Sequence, residues 1–320
     1  MHHMTALLLF DFLITALSQQ INTQQIPFDT IVIFGDSHSD TGNVYKLTDQ
    51  IWPRPPYFQG RFSNGLIWVD KLGVSNIMNY AYGAATTDNS LVQSIAWSQV
   101  LPTPGVRQQI STYVKDSNII TSNLNRTLFI IWVGSNDFAY NRTINPSLVV
   151  ASLSNAISDL LKSNIKHVIV FNLIPIHLMP NIHALNQESY YSAMVLQFNN
   201  NLSNEIASMQ ATNPYISLRI FDIHSLVSKI INNPIMYAFN NNEDVCWNAS
   251  IDNIVILCRD PKSYIFIDEY HFTSRMHEFF ADAIRQFISS SSSPSSFRTS
   301  GIFEFILIFL CWMHCYHYNF

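Results

Sequence analysis

The run Thr30-Ile-Val-Ile-Phe-Gly-Asp-Ser-His-Ser39 joins a short apolar, β-branched stretch to a turn that carries a serine. Five residues without a polar interruption read as a strand buried on both faces, the habit of parallel sheets. In open α/β sheets, ligands collect beyond the carboxyl ends of the strands, where backbone N–H groups of the following helices point outward. Ser37 therefore stands where a nucleophile is useful. By itself, a serine after Gly-x reads more readily as the cap of the next helix.

Working outward, three more stretches share this character: Thr127 to Val133, His167 to Leu173 and Ile216 to Phe221. Helical patterns lie between them. Asn145-Pro146 places a cap residue before a proline, after which Val149, Leu153, Ala156 and Leu160 recur at three- and four-residue steps. Tyr191, Val195, Phe198, Leu202, Ile206 and Met209 repeat the pattern over a longer helix, and both stripes read as core packing. Strands alternating with helices predict an α/β fold, a three-layer α/β/α sandwich on a mostly parallel sheet. No composition shift divides residues 26–288, which are expected to form one domain.

Hydrophobic residues make up 48% of the 320-residue chain and charged residues only 12%. Asn, Ser and Thr carry much of the polarity, as suits a secreted, glycosylated protein. Asn125, Asn141, Asn201 and Asn248 each begin an Asn-x-Ser/Thr acceptor. A net charge of −5 with no basic run speaks against nucleic acid as a partner, since phosphate binding needs clustered Lys and Arg. Residues 1–18 read as a signal peptide: Ala6 to Leu17 is apolar apart from Asp11, and Ala16 and Ser18 are the small residues before a cut at Gln19. Cys246 and Cys258 close a short loop, for which an oxidising compartment makes a disulfide the default reading. A serine-rich linker at 289–300 leads to an apolar tail at 301–320, a candidate for membrane or cell-surface attachment that Glu304 interrupts. Cys311, His314 and Cys315 in that tail lack the second cluster that a metal site needs.

Serine is a poor nucleophile until a base takes its proton, and the base needs a third group to orient it. Asp268-Glu-Tyr-His271 offers both: a three-residue spacing lets the Asp268 carboxylate reach Nδ1 of His271, leaving Nε2 for the serine. Acyl transfer also needs donors for the oxyanion of the tetrahedral intermediate. Asn136, in Gly134-Ser-Asn-Asp137, follows the strand at 127–133 and should project from the same sheet edge as Ser37. Gly83, in Asn79-Tyr-Ala-Tyr-Gly-Ala-Ala85, presents a backbone N–H with no side chain in the way. Taken singly, each of these elements reads as a turn or a helix start.

Taken together and in order, the four segments resemble the SGNH (GDSL) hydrolase superfamily: Gly35-Asp-Ser-His-Ser-Asp-Thr-Gly42, Gly83, Gly134-Ser-Asn-Asp137 and Asp268-x-x-His271. Gly60-Arg-Phe-Ser-Asn-Gly65 with Trp68, Asn79-Tyr-Ala-Tyr-Gly83 and Pro104-Gly-Val-Arg-Gln-Gln-Ile110 resemble its secreted carbohydrate-esterase and thermolabile-hemolysin-like branch. The resemblance implies Ser37 as nucleophile, His271 as general base and acid, and Asp268 as its orienter. It implies an oxyanion hole of the Ser37 and Gly83 amides with the Asn136 side chain, and no metal or organic cofactor. His38 and Phe272 depart from the residues usual at those positions. The missing Gly-x-Ser-x-Gly elbow argues against an α/β-hydrolase. The expectation is a secreted serine esterase acting on small-molecule or glycan esters, in first place removing acetyl groups from carbohydrate. The alternatives are a lipase or phospholipase on longer acyl chains, and an inactive surface-anchored binding protein. Trp52, Tyr57, Phe58 and Trp68 read as sugar-stacking platforms, as the wall of a lipid groove, or as core.

Overall fold

The computed structural model describes residues 26–96, 101–116, 123–249 and 255–290. Most of the linker, and all of the leader and the tail, lie outside them. Five parallel strands form the central sheet: β1 (Thr30–Gly35), β2 (Asn76–Asn79), β3 (Thr127–Trp132), β4 (His167–Phe171) and β5 (Ser217–Phe221). They lie in the order β2-β1-β3-β4-β5. Every residue of β1 and β3 is buried, which is why both are apolar beyond their leading threonines, Thr30 and Thr127.

Alternate residues of β3 face opposite layers. Phe129 meets Tyr113 of the helix Val106–Lys115, while Trp132 meets Phe280 of the helix Ser274–Ser290. Helices thus cover both faces, as the pattern predicts. Asn145 caps the helix Pro146–Leu161 by accepting from the Ser147 N–H, and the stripe from Tyr191 to Met209 is the buried side of the helix Glu188–Thr212.

Strand order decides where a ligand can sit. Going outward from β1, the chain turns one way to β2 and the other way to β3, so the crevice beyond the ends of β1 and β3 is the switch point of the sheet. Ser37 leaves β1 there, and Asn136 leaves β3 there.

Small two-stranded pairs decorate this frame. The segment Asn241–Val245 runs parallel to Tyr264–Phe266, and Trp247–Ala249 pairs with Val255–Leu257. Cys246 and Cys258 form the expected disulfide, with Cα atoms 4.8 Å apart. Cys246 and Trp247 donate backbone N–H bonds to Phe266 and Ile267, tying the disulfide loop to the strand that leads into Asp268. Closing a loop of this length stabilises by about 3 kcal/mol in the chain-entropy model, or about 6–12 °C in Tm for a domain of this size. Reduction is therefore expected to lower Tm by that amount and to slow turnover before the fold is lost, as followed by calorimetry and ester assay on the same sample.

Candidate active site

Three loops meet at the switch point, and buried carboxylates stitch them together. Asp40 Oδ1 accepts the Gly42 and Asn43 N–H groups, and its Oδ2 accepts those of Val44 and Gly83. This fixes the turn after β1 against the turn after β2. Asn79 strengthens the seam, its Nδ2 donating to Ser39 O at 2.7 Å and to Thr41 Oγ1 at 2.9 Å. Asp137 accepts from the Thr87 hydroxyl at 2.6 Å and from its N–H, fixing the turn after β3 to the 84–87 segment. Burial pushes the Asp137 carboxyl up to about 7.

Gly134 makes the third turn possible. Its φ of +129° suits glycine, and a Cβ there would come within 2.7 Å of Leu173 Cδ1. The chain then enters the helix Ser135–Tyr140 with Asn136 facing the cavity.

Ser37 Oγ lies 2.9 Å from Nε2 of His271, and Nδ1 of His271 lies 2.9 Å from both oxygens of Asp268. Asp268 also accepts the N–H groups of Tyr270 and His271 and the hydroxyl of Tyr57, the last at 2.5 Å. Burial alone would raise its pKa. The His271 charge and these hydrogen bonds outweigh burial and hold the carboxyl below its ordinary value. The Phe62 ring stacks on His271, with centroids 5.2 Å apart. Gly83 leaves room for that ring, since a Cβ there would come within 2.4 Å of it.

At Gly83 the structure differs from the open N–H that the sequence led one to expect. Its N–H donates to Asp40 Oδ2 at 2.8 Å, so it is already engaged. The next residue takes its place at the cavity. Ala84 has a φ of +69°, lines the cavity with Ser37 and Asn136, and its N–H has no partner among the described residues. An L-residue in this left-handed region is strained by about 1–3 kcal/mol and persists where its surroundings over-determine it. The Ser37 N–H is likewise without a partner among the described residues. Asn136 Nδ2 donates one hydrogen to Ala85 O at 3.0 Å and keeps the other. Ala84 carried no signal in the sequence, because glycine is the residue that ordinarily marks such a turn.

The cavity holds about 510 Å³. One wall is apolar, built from Phe138, Ile174, Ile176, Met179, Ile182 and Leu185, while Tyr140, Arg142, Glu269 and Tyr270 also line it. Trp52 is the member of the aromatic quartet found in this lining. Trp68 is buried, its ring against Trp132 and Phe171 and its Nε1 donating to His38 O. His38 packs its ring on Trp132 at 5.0 Å, and burial drives its pKa down to about 3, so it is neutral in the working range. Asp36, between Gly35 and Ser37, accepts the His38 N–H, and burial pushes its carboxyl up to about 7. Among the described residues no cluster of His, Cys, Asp and Glu could hold a metal ion, and no helix is long and apolar enough to cross a membrane.

A hydroxyl, an imidazole and a carboxylate in hydrogen-bonded sequence, beside unspent N–H donors, have the arrangement of a serine hydrolase. The chain belongs to the GDSL-like Lipase/Acylhydrolase family, whose model matches residues 31–284, and is a carboxylic ester hydrolase. It is 27% identical over 252 residues to a phosphatidylcholine-sterol acyltransferase of Aeromonas hydrophila, covering 74% of this chain and 71% of that protein. It is 26% identical over 308 residues to a thermolabile hemolysin of Vibrio parahaemolyticus, covering 90% of this chain and 70% of the relative. Among solved structures, a carbohydrate acetylesterase of Sinorhizobium meliloti matches with a TM-score of 0.47 and 13% identity, over 82% of this chain and 99% of that one.

Proposed function

We propose that this protein hydrolyses esters of acyl chains longer than acetyl through an acyl-enzyme on Ser37. His271 Nε2 takes the Ser37 proton as Oγ attacks the carbonyl carbon, and Asp268 stabilises the imidazolium that forms. The Ser37 and Ala84 amides and the Asn136 side chain receive the oxyanion. The imidazolium then gives its proton to the leaving alkoxide. Water, deprotonated by the same His271, attacks the acyl carbonyl and releases the acid and Ser37. The observation that carries this reading is the chain of 2.9 Å contacts from Ser37 through His271 to Asp268 at the sheet's switch point.

The acyl length is read from the cavity wall. Ile174, Ile176, Met179, Ile182 and Leu185 offer hydrocarbon contact that an acetyl group would leave unused. A relative named for phosphatidylcholine points the same way. Acetylated carbohydrate has less support, because Tyr57 is turned to Asp268 and Trp68 is core, leaving Trp52 of the four aromatics in the cavity lining. Along a series of p-nitrophenyl esters from acetate to octanoate, each methylene lodged on the apolar wall adds about 0.8 kcal/mol, or about a fourfold gain in kcat/KM. A rate that falls steadily from acetate upward would restore the acetyl reading.

Secretion belongs to the same proposal and is supported by the disulfide. Asn125 and Asn141 are exposed and open to glycosylation, while the Nδ2 of Asn201 already donates to Ser147 Oγ. Asn248 lies in a short strand. Analysis of protein collected from the medium of secreting cells, before and after enzymatic removal of N-glycans, tests all four.

A further inference from the structure

Tyr57 has no place in the machinery inferred above, yet its hydroxyl meets the carboxylate that orients the base. It stands 211 residues from Asp268 in the chain, and its hydroxyl donates to Oδ2 at 2.5 Å. On the far side its ring meets Trp247 edge-on, with centroids 4.8 Å apart, and Trp247 follows disulfide-bonded Cys246. Phe62, which stacks on His271, lies 5.9 Å from the Tyr57 ring. Tyr57 is not among the residues lining the cavity.

Both oxygens of Asp268 are thereby held. Oδ1 accepts the N–H groups of Tyr270 and His271, and Oδ2 accepts the phenol, so the carboxylate cannot rotate away from Nδ1 without breaking one of them. Burial and the neighbouring Asp268 charge push the phenol's own ionisation well above its usual range, so it remains a donor wherever the enzyme works.

We propose that Tyr57 is a positioning residue of the catalytic relay: its hydroxyl fixes the plane of the Asp268 carboxylate and shares its negative charge, setting how firmly His271 holds its proton. The proposal rests on the Ser37–His271–Asp268 reading. A phenol that merely found a buried partner would contribute to stability and leave chemistry alone.

Tyr57→Phe keeps the ring and removes the donor. Charge-assisted hydrogen bonds are among the stronger ones, so kcat per active site, counted by fluorophosphonate titration, is expected to fall about three- to tenfold with KM unchanged. The undiluted carboxylate should hold the imidazolium more tightly, moving the acid limb of the kcat/KM profile to higher pH by a few tenths of a unit. His38, Asp36, His277 and Tyr270 also face or act electrostatically on this region, together with Glu269 from the same turn. None of them is altered in the variant, so the difference between profiles isolates Tyr57.

Placing 3-fluorotyrosine at position 57 keeps ring and hydroxyl and strengthens the donor, and should move the acid limb the opposite way. A Tyr57→Phe enzyme whose turnover per titrated site and acid limb match the parent overturns the proposal, even if its Tm falls. Should that variant fail to fold, the fluorinated enzyme decides: a shift to lower pH supports the role, and an unmoved limb overturns it. Failure of the underlying reading looks different, since Ser37→Ala would then retain turnover whatever Tyr57 does.

Discussion

Replacing Ser37 with alanine is expected to lower kcat by about four to six orders of magnitude, and replacing His271 with alanine by a similar factor. The geometry gives the reason. Ser37 Oγ and His271 Nε2 share one proton across 2.9 Å, so neither group performs its step without the other. Once either is gone, removing the second should cost little more, and the double variant should retain about the activity of a single one. The residual rate would come from the oxyanion donors and from binding. The fold should survive, because Ser37 and His271 sit on turns while the core is built by β1, β3 and the helices over them. Steady-state kinetics with circular dichroism and Tm on the three variants checks this. Independent losses that multiply in the double variant would mean that the two residues do not act as a unit.

Asn136→Ala carries the second large effect. Asn136 lines the cavity with Ser37 and Ala84 and has one Nδ2 hydrogen left over from its bond to Ala85 O, and an oxyanion donor gains strength only as charge builds on the substrate oxygen. Loss of one oxyanion donor is expected to lower kcat by roughly 10²- to 10³-fold, about 3–4 kcal/mol, with KM nearly unchanged. Asn136 also ties its turn to Ala85, so some loss of Tm accompanies the substitution. The two contributions separate in the kinetics. A donor role lowers turnover by a similar factor on every ester, whereas a purely structural role lowers stability and leaves the rate per folded molecule near normal. The latter result would remove Asn136 from the site.

The parts of this account that were legible in the sequence share a physical cause. β1, β3 and β4 are central strands of a parallel sheet, and that environment demands apolar runs that stand out from any background, while β5 at one edge keeps only Leu218, Ile220 and Phe221 of such a run. β2 did not stand out. Asn76 to Asn79 is an edge strand with one exposed and three half-buried residues, so no periodicity marks it. Ser37 and Asn136 could be placed because each follows a readable strand, and His271 could be paired with Asp268 because the two lie within one turn. The engagement of the Gly83 N–H could not be foreseen. It depends on Asp40, more than forty residues earlier, taking the Gly83 N–H, and the neighbouring left-handed alanine is one that no sequence rule singles out. Tyr57 could not be assigned because its partner lies across the fold, and an aromatic residue near a nucleophile serves as core, platform or donor with the same local pattern.

The claim on which the rest depends is that Ser37 is the group that becomes acylated. Incubating the purified protein with a fluorophosphonate and mapping its peptides by mass spectrometry tests this most directly. The account predicts one adduct per molecule, on the peptide that contains Ser37, with esterase activity lost in proportion to labelling and no adduct formed on His271→Ala over the same period. Stoichiometric labelling of a different residue, or full labelling of Ser37 with activity intact, would contradict it.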